Sequence, residues 1–163
     1  LNKNGFQCLA IDLRGHGESG GDKNYQASVK DIEAAAAFFL YKGLTFGEGL
    51  TFVGASIGAN LALQFQSEHP EIKASVLLSP GLDYRGVQTE PAAKKITENQ
   101  SVFLAAGGEN DGYSAETAQK LLNMLKSKNK KLKIFKNAGH GTDIFKKEPV
   151  LADEIILWIQ SLN

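Results

Sequence analysis

The residues best suited to covalent chemistry are gathered around one serine. Ser56 stands in Gly54-Ala55-Ser56-Ile57-Gly58, between an apolar β-prone run, Leu50 to Val53, and a helix-prone run, Ala59 to Gln66. This is the G-x-S-x-G pattern of a strand, a sharp turn and a helix, with the serine at the apex. Such a turn strains the serine backbone. Strand and helix are expected to approach so closely that neither Gly54 nor Gly58 has room for a side chain. The hydroxyl then stands clear of the turn, at the positive end of the helix, where an anionic intermediate is stabilised.

A serine hydroxyl is a poor nucleophile until a base takes its proton, and the base must be held in one tautomer. Of the three histidines, His140 is the best placed. It follows a predicted strand and lies between two glycines, late in the chain. His69, in Glu68-His69-Pro70, falls at the far end of the helix after Ser56 and reads as a solvated cap. His16, in Arg14-Gly15-His16-Gly17, reads as part of a structural loop. For the carboxylate that orients the base, Asp111 leads, because Ser56, Asp111 and His140 then follow in that order. Asp83, after the preceding strand, is the rival, and Glu109 and Asp143 are weaker candidates.

These residues need a scaffold, and the hydrophobic pattern supplies one. Phe6 to Leu13, Leu50 to Ala55, Ala74 to Pro80, Ser101 to Ala106 and Leu132 to Lys136 read as strands. Tyr25 to Tyr41, Ile57 to Ser67, Ser114 to Lys128 and Pro149 to Leu162 read as helices, with a short one near Pro91 to Ile96. Lysines from Lys126 to Lys133 read as the solvated end of a helix plus a turn. Strands alternating with helices predict an α/β fold: a mostly parallel sheet of about five strands with helices on both faces. Reactive groups then gather at the carboxyl ends of the strands, which puts Asp12 to Gly17, Ser56, Ser79 to Asp83, Glu109 to Asp111 and His140 on one rim.

Composition narrows the partners. The 163 residues fit one domain spanning 1–163, and 18 basic residues balance 18 acidic ones. No charge excess draws the chain to nucleic acid or to an anionic membrane. No apolar run approaches the length of a membrane span, and no signal peptide is evident. The single cysteine, Cys8, lies in an apolar run and is expected to be buried. A nucleotide-binding α/β domain is the competing class, but neither a G-x-G-x-x-G nor a G-x-x-x-x-G-K-[ST] loop is expected after a predicted strand.

The chain resembles the α/β-hydrolase superfamily. Asp12-Leu13-Arg14-Gly15-His16-Gly17-Glu18-Ser19 is similar to its D-x-R-G-x-G-x-S loop. Gly54 to Gly58 resembles its nucleophile elbow, Gly108 to Asp111 its acid loop, and Ala138-Gly139-His140-Gly141 its histidine loop. Leu78-Ser79-Pro80-Gly81-Leu82-Asp83-Tyr84 looks like uncapped bacterial members near the dienelactone-hydrolase and serine-aminopeptidase-like groups. The resemblance implies acyl transfer from a small ester, thioester or amide, with Ser56 as nucleophile, His140 as base and Asp111 as orienter. The Ile57 N–H would be one oxyanion donor, and no metal or organic cofactor is called for. The short Asp83 to Gln100 segment, too small for a large cap, implies an open site and a modest acyl group.

The resemblance also implies a departure. The family opens with three strands before the one expected at Phe6, and the loop after the third supplies a second oxyanion N–H. The chain starts at Leu1 rather than Met, so it is expected to be N-terminally truncated, and any targeting segment would have gone with the missing part. No compartment is assigned. The missing third strand would lie between the Phe6 and Leu50 strands. Either the Phe6 strand moves beside the Leu50 strand, or a gap remains that another chain could fill, favouring self-association through an exposed edge. One lost oxyanion donor costs on the order of a hundredfold in rate. The alternative function is therefore a catalytically incomplete fragment or binding module that keeps the fold.

Overall fold

The structure is a computed structural model that describes residues 1–43 and 49–162. In chain order it comprises α1 (Val29–Tyr41), β1 (Thr51–Ala55), α2 (Ile57–Glu68), β2 (Ala74–Leu78), β3 (Asp83–Tyr84) and β4 (Val87–Gln88). There follow α3 (Glu90–Lys95), β5 (Ser101–Ala106), α4 (Gly112–Met124), β6 (Lys130–Ile134), α5 (Ile144–Lys147) and α6 (Val150–Gln160). Four strands form a parallel sheet in the order β1-β2-β5-β6, and β3 and β4 form a separate two-stranded hairpin.

The central strands β2 and β5 are buried throughout, as parallel strands covered on both faces must be. Alternation along β5 divides the core. Val102, Leu104 and Ala106 pack with Ala62, Leu63, Ala118 and Leu121 of α2 and α4. Phe103 and Ala105 face Leu151, Ile155 and Trp158 of α6. On α6 the buried residues Leu151, Ile155, Trp158 and Ile159 recur at helical spacing. Ile32 and Ala36 of α1 close a third cluster with Leu61 and Phe65 of α2.

The expected strand from Phe6 to Leu13 does not form. This segment pairs with no strand among the described residues, and Gln7 to Asp12 are exposed. Cys8 is accordingly exposed rather than buried. Of the two arrangements the sequence allows, the gap is the one found. An apolar cleft of about 510 Å³ separates residues 6–11 from residues 49–55. Among the described residues, β1 pairs along one edge with β2, and its edge facing the cleft has no partner.

Unpaired strand edges beside exposed apolar side chains promote association, and Leu9, Ile11 and Val53 are 39%, 41% and 45% exposed here. Sedimentation velocity is therefore expected to show concentration-dependent self-association. Leu9→Lys with Val53→Lys should return the chain to monomer, and a parent that is monomeric at every concentration would contradict this.

Other boundaries shift modestly. The first helix begins at Val29 rather than Tyr25, with turns before it. In α4 the helix stops at Met124, because Leu125 turns to extended backbone. The last strand starts two residues early, at Lys130. Its Lys130 Nζ donates to the carbonyls of Leu122 and Leu125 at 2.9 and 2.6 Å. The end of α4 is thus matched by a cation from the next strand. Residues 44–48, expected as a connection, lie outside the described residues.

Candidate active site

Ser56 occupies the corner between β1 and α2 with φ 54° and ψ −122°, a region that a residue with a side chain enters only under strain. Its surroundings hold it there. The Ser56 N–H donates to the Leu78 carbonyl at 2.8 Å, and its own carbonyl accepts the Ala59 N–H at 2.9 Å. The side chain makes no capping bond to α2, so the hydroxyl is left for other use. Ile57 is the first residue of α2, where no carbonyl of the helix can accept its N–H.

The two elbow glycines differ. A Cβ on Gly54 would stand 2.1 Å from the Gly58 carbonyl oxygen, whereas one on Gly58 would meet nothing within 4 Å. The close approach thus requires glycine at 54 alone, a correction to the symmetrical expectation. Gly54→Ala should push helix from strand and destabilise the chain by about 2–3 kcal/mol, while Gly58→Ala stays within about 1 kcal/mol. Urea denaturation of both variants checks this, and equal losses would contradict it.

Loops after β5 and β6 bring Asp111 and His140 together. Gly107 packs so tightly on the second loop that a Cβ would fall 1.9 Å from the Gly139 carbonyl oxygen. The Gly139 N–H donates to Asn110 Oδ1 at 3.0 Å, and the Ala138 N–H donates to the Gly107 carbonyl at 3.0 Å. Between the loops, His140 Nδ1 lies 2.8 Å from Asp111 Oδ1. The Asp111 side chain is 7% exposed and that of His140 is 44% exposed. A proton on Nδ1 donated to Asp111 leaves Nε2 as the acceptor on the open side. The next residue ties this loop to the serine's neighbour strand, since the Gly141 N–H donates to Ser79 Oγ at 2.8 Å.

The other candidates serve elsewhere. Asp83 holds its own hairpin: Oδ1 accepts the Gly86 N–H at 2.7 Å and Oδ2 accepts Gln88 Nε2 at 3.3 Å. Asp143 pairs with Lys146 at 2.6 Å, and that ammonium lowers its pKa. Glu109 is exposed, its N–H donating to the Lys136 carbonyl. His69 stacks on Phe65 at 4.1 Å and meets Glu71 at 3.0 Å, at the far end of α2. His16 Nδ1 donates to the Arg14 carbonyl at 3.0 Å, with its ring 5.6 Å from that of Tyr25.

The loop from Asp12 to Ser19 is internally built. Arg14 forms a forked pair with Asp31 of α1 at 2.7 to 3.1 Å, and the guanidinium lowers that carboxyl's pKa. Contrary to the expectation that no such loop is present, Gly15, Gly17 and Gly20 spell G-x-G-x-x-G after the Phe6 to Leu13 run, the spacing of dinucleotide-binding loops. No helix opens on these glycines, since α1 starts only at Val29. Asp12 Oδ2 instead accepts the Glu18 N–H at 2.9 Å, placing a carboxylate inside the loop. That arrangement does not fit a pyrophosphate.

Two groups at the site went unread in the sequence. Tyr84 reaches in from the hairpin, its ring 6.2 Å from that of His140 and edge-on to it. Burial pushes its phenol pKa up. Fully buried Asn60 pins the hairpin, with Nδ2 donating to the Val87 carbonyl at 2.7 Å and Oδ1 accepting the Gly81 N–H at 3.0 Å. Asp111 Oδ2 is buried without a hydrogen-bond partner among the described residues. Among the described residues no three His, Cys, Asp or Glu side chains converge as a metal would require, and no helix is long and apolar enough to cross a membrane.

Comparison with known proteins agrees with this architecture. A family model described as "Serine aminopeptidase, S33" matches residues 1–105, which include Ser56 and end before Asp111 and His140. The chain belongs to that family, and with it to the α/β-hydrolase superfamily. It is similar to the Pyrococcus furiosus esterase Pf2001, with 20% identity and a TM-score of 0.82 over 98% of this chain and 70% of that one. It is also similar to the Paleococcus ferrophilus monoacylglycerol lipase, with 20% identity and a TM-score of 0.81 over 99% of this chain and 86% of the lipase. A lipase-esterase related protein from Clostridium acetobutylicum aligns at 15% identity and a TM-score of 0.66, over 90% of this chain and 81% of that one. A search of curated sequences finds no match.

Proposed function

We propose that this chain is a serine hydrolase that cleaves a small carboxylic ester, thioester or amide through an acyl-enzyme on Ser56. The observation that carries the reading is the 2.8 Å contact between His140 and Asp111, made by loops 29 residues apart, on the sheet rim where Ser56 is held at a strained corner. Nothing in local folding requires the Asp111 and His140 side chains to meet at the end of the sheet that carries Ser56.

In the proposed reaction Ser56 Oγ attacks the substrate carbonyl while His140 Nε2 takes its proton. Asp111 keeps the Nδ1 proton in place and stabilises the imidazolium. Charge building on the carbonyl oxygen is met by the Ile57 N–H at the start of α2. The imidazolium then protonates the leaving oxygen, sulfur or nitrogen, and the acyl-enzyme forms. Water, deprotonated by His140, attacks the acyl carbon, and release of the acid restores Ser56. Residues 81–100 form a hairpin and a six-residue helix, which supports an open site for a modest acyl group.

One observation favours the slower alternative. The cleft beside β1 is lined in part by Gly54, Ala55 and Gly58, the residues that flank Ser56 in the elbow. A chain that keeps the fold and turns over little is the second reading. Initial rates on p-nitrophenyl acetate, butyrate and octanoate separate them. Turnover above that of the Ser56→Ala variant, falling with acyl length, supports the hydrolase, and rates equal to that variant support the binding module.

A further inference from the structure

The phenol of Tyr84 stands in the site, and the reaction above does not use it. Its ring is seated against Gly81, where even a Cβ would come within 2.6 Å of it. Tyr113 meets the ring edge-on at 5.8 Å, and His140 does so at 6.2 Å. The hydroxyl donates to the Ser79 carbonyl at 3.4 Å and lies 2.9 Å from Oγ of fully buried Ser114. Ser79 follows Leu78, the residue whose carbonyl accepts the Ser56 N–H. The phenol therefore stands over the strand tip next to the serine, with its ring against the histidine.

Burial pushes the phenol pKa up, with hydrogen bonding to Ser114 opposing it, Asp111 and Tyr113 adding to it, and the Ser56 hydroxyl opposing it. The group is a neutral phenol at ordinary pH, its one proton directed at the Ser79 carbonyl. The His140 side chain is 44% exposed and is held by Asp111 through Nδ1. A single bond at Nδ1 leaves the plane of the imidazole free to turn, a freedom that a neighbouring ring could remove.

We propose that Tyr84 is a positioning residue for His140: its hydroxyl, anchored on the Ser79 carbonyl and Ser114, holds its ring edge-on to the imidazole, and the ring fixes the plane in which that imidazole meets the nucleophile. The inference rests on reading Ser56 as the nucleophile. A rate scales with the fraction of molecules in the competent arrangement. Loss of one such hydrogen bond lowers that fraction by roughly 3- to 10-fold.

Tyr84→Phe keeps the ring and removes the hydroxyl, and Tyr84→Leu removes both. The second-order rate of labelling by a fluorophosphonate, and kcat on p-nitrophenyl acetate, are expected to fall about 3- to 10-fold in Tyr84→Phe, with KM unchanged and Tm lowered by only a few degrees. Tyr84→Leu should fall about tenfold further. Ser114→Ala, which removes only the anchor, should lie between the parent and Tyr84→Phe. A Tyr84→Phe variant that labels at the parent rate overturns the proposal while leaving Ser56 as nucleophile. Equal losses in Phe and Leu variants, tracking a lowered Tm, also overturn it. A folded parent that does not label overturns the nucleophile reading, and this proposal with it.

Discussion

Ser56→Ala is expected to reduce kcat on p-nitrophenyl butyrate by roughly 10⁴- to 10⁶-fold, to the level of adventitious hydrolysis. The size follows from the role. Without the oxygen no acyl-enzyme can form, and neither His140 nor the Ile57 N–H has an intermediate to act on. Stability should hold, because the Ser56 backbone, not its hydroxyl, carries the bonds to Leu78 and Ala59. Alanine must still adopt φ 54°, which costs about 1 kcal/mol more than glycine would. A Tm within a few degrees of the parent, beside abolished turnover, is the expected pattern. Residual activity within about tenfold of the parent would remove Ser56 from the chemistry.

The second large effect separates two carboxylates. Asp111→Asn is expected to lower kcat by about 10⁴-fold, because an amide facing Nδ1 favours the wrong tautomer and leaves the imidazolium unpaired. Asp83→Asn should change kcat less than threefold or so, since its loss falls on the turn at Gly86. The contrast is sharp because both residues follow strands of the same sheet, and only Asp111 contacts the imidazole, at 2.8 Å. Comparable losses in the two variants would contradict the assignment. His140→Ala should match Asp111→Asn or exceed it, since the two act as one unit.

Much of the fold was legible because its signals are local. Ser101 to Ala106 is bounded by polar residues and shows no helical spacing, and it forms the buried strand expected of it. The corner at Ser56 was legible for the same reason, since its glycine at 54 answers a steric demand a few residues away. Phe6 to Leu13 is the instructive failure. Its apolar run has the composition of a buried strand, but a strand forms only against a partner, and across the cleft β1 is too distant to pair with it.

The β3–β4 hairpin was missed for another reason. Its turn is Arg85-Gly86, both at positive φ, 53° and 85°. That is the geometry of a tight two-residue turn, usually announced by Asn-Gly or Asp-Gly. With strands of two residues there is also no alternation to read. Tyr84 owes its place in the site to that turn, so it was hidden with it. The pairing of Asp111 rather than Asp83 with His140 was open in the sequence, because it depends on how the loops after β5 and β6 cross.

The central claim is that Ser56 is an activated nucleophile. Its most direct test is to treat the folded chain with a fluorophosphonate, digest it and locate the adduct by peptide mass spectrometry. The account predicts one phosphonyl group per chain, on the peptide that carries Ser56, and none in His140→Ala. An adduct on another residue, or folded protein that takes up no probe, would contradict it.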